Sequence, residues 1–150
     1  FARFEYWRDE AKTECAWRDG AFTVGDLGRL DDAGYLYIDG RRDDLIISGG
    51  VNVYPAEVEG VLSDVSGVAE VAVFGLPDDR WGQRVCAAVV PSSPTDPTQA
   101  DHLVETVRAH AVDRLAGYKR PKQYVVLDAL PRTATGKVQR NSIPGLVTSG

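Results

Sequence analysis

Four short stretches hold side chains whose types and spacing can do chemistry. In Thr23-Val-Gly-Asp26 a carboxylate follows a glycine between strand-like residues. Such a group can accept hydrogen bonds from a diol such as a ribose, although Asp at a turn more commonly caps its own backbone. Gly40-Arg-Arg-Asp-Asp44 places Arg41, a permanently charged fork of donors suited to ribose or phosphate, two residues before Asp43. Asp43 lies where the backbone must turn if the flanking pieces move; a solvated linker has the same composition. In Ser48-Gly-Gly-Val-Asn-Val-Tyr-Pro55 the glycines Gly49 and Gly50 allow positive φ and close backbone approach. They can border a narrow channel or a ligand, or simply make a tight turn. Thr133-Ala-Thr-Gly-Lys137 lacks the full G-x-x-x-x-G-K-[ST] arrangement of a nucleotide phosphate loop. Its content is local: Gly136 lets a loop bring the Lys137 ammonium to an anion, where it suits charge developing in a carboxylate–phosphoryl transition state. An ordinary surface lysine is the competing reading.

Elements must hold these stretches. Leu27–Leu30 and Tyr35–Asp39 read as strands joined by Asp31-Asp-Ala-Gly34, good turn chemistry for a hairpin. Residues 10–17 suggest a short helix, and Leu45–Ser48 a short strand. Pro55 fits a first helical turn, Glu57 and Glu59 favour the positive helix end, and Val58, Val61 and Leu62 make a buried stripe. Val68–Phe74 and Arg84–Val90 are the most strand-like runs, separated by the polar loop Pro77–Gly82 with Trp81. Asp101–Leu115 predicts an amphipathic helix with Leu103, Val104, Val107, Ala111, Val112 and Leu115 on one face, stopped by Gly117. Gln123–Leu127 is a final strand, Pro131–Lys137 a turn-rich loop, and Val138–Ser142 a short helix, with a frayed tail beyond Pro144. The order after residue 45 is strand, helix, strand, strand, helix, strand. It predicts an α+β domain with a short, mostly antiparallel sheet flanked by helices, preceded by a separate β-rich piece over residues 1–40.

Composition narrows the function classes. The 150 residues are 43% hydrophobic and 26% charged, enough for one core plus an appendage. The net charge of -5 excludes a globally basic nucleic-acid surface. Its distribution is uneven: residues 1–44 carry 7 basic and 11 acidic side chains, residues 45–116 carry 4 and 10, and residues 117–140 carry 6 and 1. The last segment is a basic patch that can meet phosphate. No apolar run approaches the roughly 20 residues of a membrane span, and no signal-peptide pattern opens the chain, so a cytoplasmic protein is expected. Cys15 and Cys86 make no disulfide framework, and Cys86 falls in an apolar strand pattern as a buried thiol. His102 and His110 lie eight apart without the ligand array of a zinc site, so no metal residue is assigned.

Together the four stretches are far more specific than each alone. The ordered set Phe22-Thr-Val-Gly-Asp-Leu-Gly, Gly40-Arg-Arg-Asp-Asp-Leu-Ile-Ile-Ser-Gly-Gly-Val-Asn-Val-Tyr-Pro-Ala-Glu-Val-Glu, Tyr118-Lys-Arg-Pro-Lys and Pro131-Arg-Thr-Ala-Thr-Gly-Lys resembles the adenylate-forming superfamily. This superfamily comprises acyl- and aryl-CoA synthetases, peptide-synthetase adenylation domains and luciferases. The similarity runs from about residue 20 to 143. Asp79-Arg-Trp-Gly-Gln with Tyr118-Lys-Arg-Pro-Lys looks most like the acyl/aryl-CoA ligases, such as 4-chlorobenzoate-CoA ligase. Val24 stands where the family often has a small or polar residue.

The resemblance implies a large N-terminal domain followed by a small mobile lid. Residues 1–40 would be the β-rich end of the large domain, 41–44 the hinge, 45–143 the mobile C-terminal domain and 144–150 a tail. The abrupt start at Phe1 would then be a cut. Asp26 matches the aspartate that binds the AMP ribose hydroxyls, Arg41 the arginine on the same ribose, and Asp43 the hinge. Lys137 matches the catalytic lysine bridging acyl carboxylate and phosphate during adenylation. Gly49 and Gly50 would border the pantetheine tunnel, while Trp81, Tyr118 and Arg120 match positions that contact the CoA nucleotide. The implied reaction forms acyl-AMP and pyrophosphate from a small carboxylic acid and ATP, then, after rotation of the lid, a thioester with CoA. Mg2+ would be bound by the large domain. The family's Ser/Thr/Gly-rich phosphate loop and its acyl pocket do not occur in these residues, so this segment alone is expected to be inactive. Two alternatives stand beside this one: an adenylation domain loading a phosphopantetheinyl carrier protein, and a non-catalytic domain that only binds a partner.

Overall fold

The computed structural model describes residues 4–147 and divides into two units, Phe1–Asp43 and Asp44–Gly150. In the first, helix α1 (Glu10–Ala16) starts at Asp9, whose carboxylate accepts the Lys12 N–H at 3.0 Å. Strands β1 (Trp17–Arg18) and β2 (Ala21–Phe22) follow as a small antiparallel pair. Nothing in the local periodicity announces this pair. The predicted hairpin forms as β3 (Asp26–Leu30) and β4 (Leu36–Arg41), paired from Asp26↔Arg41 to Leu30↔Leu36 with a bulge at Leu27/Gly28. Asp31 organises its turn. The carboxylate accepts N–H bonds from Tyr35 and Ala33 and the Tyr37 hydroxyl, and these donors, led by the Tyr35 N–H, hold its pKa below the ordinary value.

The second unit is the expected α+β domain. Its elements are β5 (Ile46–Ser48), β6 (Val51–Val53), α2 (Pro55–Leu62), β7 (Val68–Asp78), β8 (Gly82–Pro91), α3 (Pro97–Arg114), β9 (Gln123–Val126) and α4 (Ile143–Val147). The strands form one sheet in the order β6-β5-β8-β7, with β9 also on β8. All pairs are antiparallel except β8–β9. The uninterrupted apolar run Val85–Val90 is explained by a sheet buried on both faces. Val85, Ala87 and Val89 join Val58 and Leu62 of α2 and Val107 and Ala111 of α3 in one core. Cys86, Ala88 and Val90 join Phe74, Leu130 and Ile143 in the other. Burial raises the pKa of the Cys86 thiol, while Cys15 is exposed; both are unpaired cysteines.

Several elements differ from expectation. The paired glycines do not lead straight into a helix. They are a two-residue hairpin turn between β5 and β6, with φ of 59° at Gly49 and 78° at Gly50, the geometry such tight connections require. The Pro77–Gly82 loop shrinks to Asp79–Trp81 because the β7–β8 ladder continues to Asp78↔Gly82, and the Asp78 side chain accepts the N–H groups of Arg80 and Trp81. Helix α3 begins four residues early: Asp96 and Gln99 form a reciprocal capping box and Pro97 fits the first turn. Val112, assigned to its buried face, is 49% exposed. The C-terminal helix forms as a short turn, Arg140–Ser142, followed by α4, which runs past Pro144 to Val147, where a frayed tail was expected, and packs Ile143 and Val147 on the core. Phe1 and residues 148–150 of the expected tail lie outside the described residues.

Candidate functional site

Within the first unit, Asp26 and Arg41 are cross-strand partners at the open end of the β3–β4 hairpin. Arg41 Nε lies 2.8 Å from Asp26 Oδ1, and its Nη1 donates to the Val24 carbonyl at 3.4 Å. The positive φ of Gly25 and the bond from Arg42 N–H to the Gly25 carbonyl shape this end of the hairpin. Among the described residues Asp26 Oδ2 has no partner, so a carboxylate already oriented by an arginine keeps one oxygen for a hydroxyl donor. Asp43 is exposed in the helical turn Arg42–Asp44, at the boundary of the two units.

In the second unit, the Gly49–Gly50 turn packs against the β7–β8 turn. Gly49 N–H donates to the Trp81 carbonyl at 2.8 Å, and a Cβ at Gly49 would lie 2.8 Å from the Trp81 ring. Trp81 is 41% exposed, with the Arg80 guanidinium 4.8 Å from its ring centroid. Glycine is required here twice, by the backbone angle and by the indole. Tyr118 is exposed on a separate loop beside Lys119, whose ammonium pairs with Glu57 on α2; that bond raises the pKa of Lys119.

The lysine loop is a tight, cross-braced turn. Arg132 and Val138 form a β-bridge, Thr133 N–H donates to the Lys137 carbonyl at 2.8 Å, and Lys137 N–H donates to the Thr133 hydroxyl at 3.1 Å. Gly136 turns the chain at φ 84°. Arg132 braces it from inside, donating to the Gly136 carbonyl and to Glu70, each at 2.7 Å. These bonds hold the loop close to its own backbone, and the Lys137 side chain is left exposed.

The basic segment 117–140 resolves into two kinds of cation. Lys119 is bound to Glu57, Arg120 donates to the carbonyls of Leu115 and Val112 at the end of α3, and Lys122 donates to the Gly117 carbonyl. Arg132 is held by Glu70 and Arg140 by Glu59 and Asp44. Of the segment's six basic side chains, only Lys137 carries its charge without a partner among the described residues. Composition could not distinguish these, because the partners come from 5 to 96 residues away. The motifs gave none of Arg132, Arg140, Glu59, Glu70 and Asp44 a part in holding the lysine loop. No local spacing points to these pairings. Among the described residues no group of three or more His, Cys, Asp or Glu side chains is arranged to hold a metal ion, and no helix is long and apolar enough to cross a membrane.

Residues 57–137 match the AMP-binding enzyme C-terminal domain family. The chain is 46% identical over 138 residues to a 2-succinylbenzoate–CoA ligase of Listeria monocytogenes, covering 92% of this chain and 28% of that protein. It is 45% identical to an indoleacetate–CoA ligase of Aromatoleum aromaticum over 95% of this chain and 27% of the relative. The structure superposes on o-succinylbenzoate CoA synthetase from Bacillus subtilis, solved with its acyl-adenylate intermediate, with a TM-score of 0.78 and 42% identity, over 92% of this chain and 27% of that one. The chain thus spans little more than a quarter of the length of these relatives, which are acyl- or aryl-CoA ligases.

Proposed function

The chain belongs to the AMP-binding enzyme C-terminal domain family, and from that premise we propose that it supplies the hinge and mobile lid of an ATP-dependent acyl- or aryl-CoA ligase, with residues 1–40 contributed to the larger upstream domain. The observation that carries the reading is the exposed ammonium of Lys137, without a partner among the described residues and presented by a braced loop in a segment whose other cations are internally committed. ATP supplies the activated phosphorus that the acid's carboxylate attacks, giving acyl-AMP and pyrophosphate, before the CoA thiol displaces AMP.

The residues of this chain divide the work. Lys137 offers a point charge on a flexible stem to the negative charge that builds between carboxylate and α-phosphate. Asp26 Oδ2 accepts from a ribose hydroxyl, with Arg41 fixing the carboxylate and offering its remaining nitrogen to the same sugar. Asp43 is the hinge about which the lid turns. Gly49 and Gly50 border the path of the pantetheine arm, and the exposed faces of Trp81 and Tyr118 suit the CoA nucleotide. Arg120 would reach that nucleotide with the Nη1 it does not use on α3. Mg2+ is assigned to the upstream domain.

In the full-length enzyme Lys137→Ala is expected to slow ATP–pyrophosphate exchange by about 100- to 1,000-fold. Thioester formation from supplied acyl-adenylate should stay within about threefold of wild type, since that step makes no use of the lysine. Exchange at the wild-type rate would overturn the role of Lys137. Discharge of the adenylate by free CoA supports the ligase reading, and discharge only by a phosphopantetheinyl carrier would replace it.

A further inference from the structure

Arg140 lies three residues beyond Lys137 and makes more charged contacts than its position in a surface turn requires. Its Nε and Nη2 reach Glu59 Oε1 at 3.1 and 2.9 Å, Nη2 reaches Oε2 at 2.7 Å, and Nη1 reaches Asp44 Oδ2 at 3.1 Å. Glu59 Oε1 also accepts the Val73 N–H at 2.8 Å. One guanidinium therefore ties together the first residue of the second unit, helix α2, strand β7 and the base of the lysine loop. The three side chains are 16–22% exposed. Burial works against the arginine's charge, and Glu59 and Asp44 more than offset it. Ionic clusters withdrawn from water yield little net stability, because desolvation consumes most of the Coulombic gain, and a buried apolar cluster would serve the core as well. What such a cluster does supply is a single orientation, since the planar fork accepts its carboxylates in one geometry only.

We propose that Arg140 is a positioning residue for Lys137: with Glu59 and Asp44 it locks the base of the lysine loop to the chain just after the hinge, so that loop and hinge end turn as one body. Arg132 braces the far side of the same loop through Glu70 and the Gly136 carbonyl. The loop is thus clamped at both feet while the Lys137 side chain stays free. Rotation about Asp43 then delivers the ammonium to a defined place, rather than dissipating in a slack loop. This inference rests on the roles given above to Lys137 and Asp43.

The test uses the full-length enzyme with Arg140→Ala, Arg140→Lys, Lys137→Ala and the double variant Arg140→Ala/Lys137→Ala. Arg140→Ala should lower ATP–pyrophosphate exchange by about 10- to 100-fold, the usual effect of losing a group that orients a reacting one. Thioester formation from supplied acyl-adenylate should remain within about threefold of wild type. Hydrogen exchange should quicken in the peptide spanning residues 131–139. Lysine should recover less than half of the lost rate on a logarithmic scale, because it cannot make the fork. In the Lys137→Ala background, Arg140→Ala should cost less than about threefold more, as expected of residues acting through one another. Asp44→Asn, which leaves the Arg140–Glu59 pair intact, gives a milder test should Arg140→Ala fail to fold; it should slow exchange by about 3- to 10-fold with thioester formation unchanged. If Lys137→Ala abolishes adenylation while Arg140→Ala and Asp44→Asn stay within twofold of wild type, this proposal falls and the role of Lys137 stands. Equal loss in both half-reactions, or full additivity with Lys137→Ala, would mark Arg140 as merely structural. Unchanged adenylation in Lys137→Ala would overturn the underlying reading instead.

Discussion

The two long hairpins of the chain, β3–β4 in the first unit and β7–β8 in the second, are both antiparallel ladders set by their turns, yet they bury their side chains very differently. β8 carries six consecutive buried residues from Val85 to Val90, covered by α2 and α3 on one face and by Leu130 and Ile143 on the other. In the β3–β4 hairpin, Leu30, Tyr35, Leu36, Tyr37 and Ile38 are 46–69% exposed. Its order comes from backbone pairing, the Asp31 turn and the ion pairs Arg29–Asp39 and Asp26–Arg41. Turn chemistry is sufficient to set a ladder's register, whereas a core needs a second layer. Leu36 and Ile38, two residues apart, and Leu30, opposite Leu36, are exposed on one face of this hairpin, and under the proposed function the upstream domain covers them. The same contrast separates the sites: Asp26 and Arg41 sit on the uncovered hairpin, while the lysine loop is braced against a closed core.

Truncating one apolar residue in each unit of this chain should separate the two hairpins most clearly. Leu62→Ala, at a fully buried position on α2, should destabilise the second unit by about 2–5 kcal/mol in urea unfolding. Leu36→Ala, 64% exposed, should change stability by no more than about 0.5 kcal/mol. Comparable costs would mean that the first unit has a core of its own. Next in size are two left-handed glycines. Gly49→Ala meets both an unfavourable φ and the Trp81 ring, and should cost about 1–2 kcal/mol with a shift in tryptophan emission. Gly20→Ala has φ 79° but open space around it, and should cost about 1 kcal/mol with no such shift. Equal spectral changes would remove the Gly49–Trp81 contact from the account.

The last test is a titration in the second unit. Burial raises the pKa of Tyr124 to about 12, partly opposed by the Arg108 guanidinium 4.8 Å from its ring. The folded state therefore holds the phenolic proton more tightly than the unfolded chain. This contribution is fully present below pH 10 and is lost as pH rises from 10 to about 12. Tyr124→Phe should flatten that alkaline limb of the stability profile, and an unchanged limb would assign it to other groups.

Much of the fold was legible because its signals are local. The apolar run Val85–Val90, the stripe of Val58 and Leu62 and the turn residues Asp31–Gly34 each act within a few positions, where side-chain period and backbone preference suffice. Strand β6 was missed because Val51-Asn-Val53 is too short to show a period, and its identity depends on Gly49 and Gly50 folding it back onto β5. Val112 was misplaced because the helical stripe is wider than the surface that α3 covers. The motifs around Asp26, Arg41 and Lys137 stood out as residue types at fixed spacing. Their bracing did not, since Arg140 finds Glu59 and Asp44 across 81 and 96 residues.

By itself, then, the amino-acid sequence determined the α+β class, the main helices and strands, and the family resemblance, all of which rest on short-range pattern. The tertiary structure alone decided which cations of the basic segment are spent on internal carboxylates and carbonyls and which one remains available. Formal charge is a property of composition, but the availability of a charge depends on what folding brings within hydrogen-bonding distance of it. In this chain that process leaves the ammonium of Lys137 without a partner among the described residues and clamps the loop that carries it.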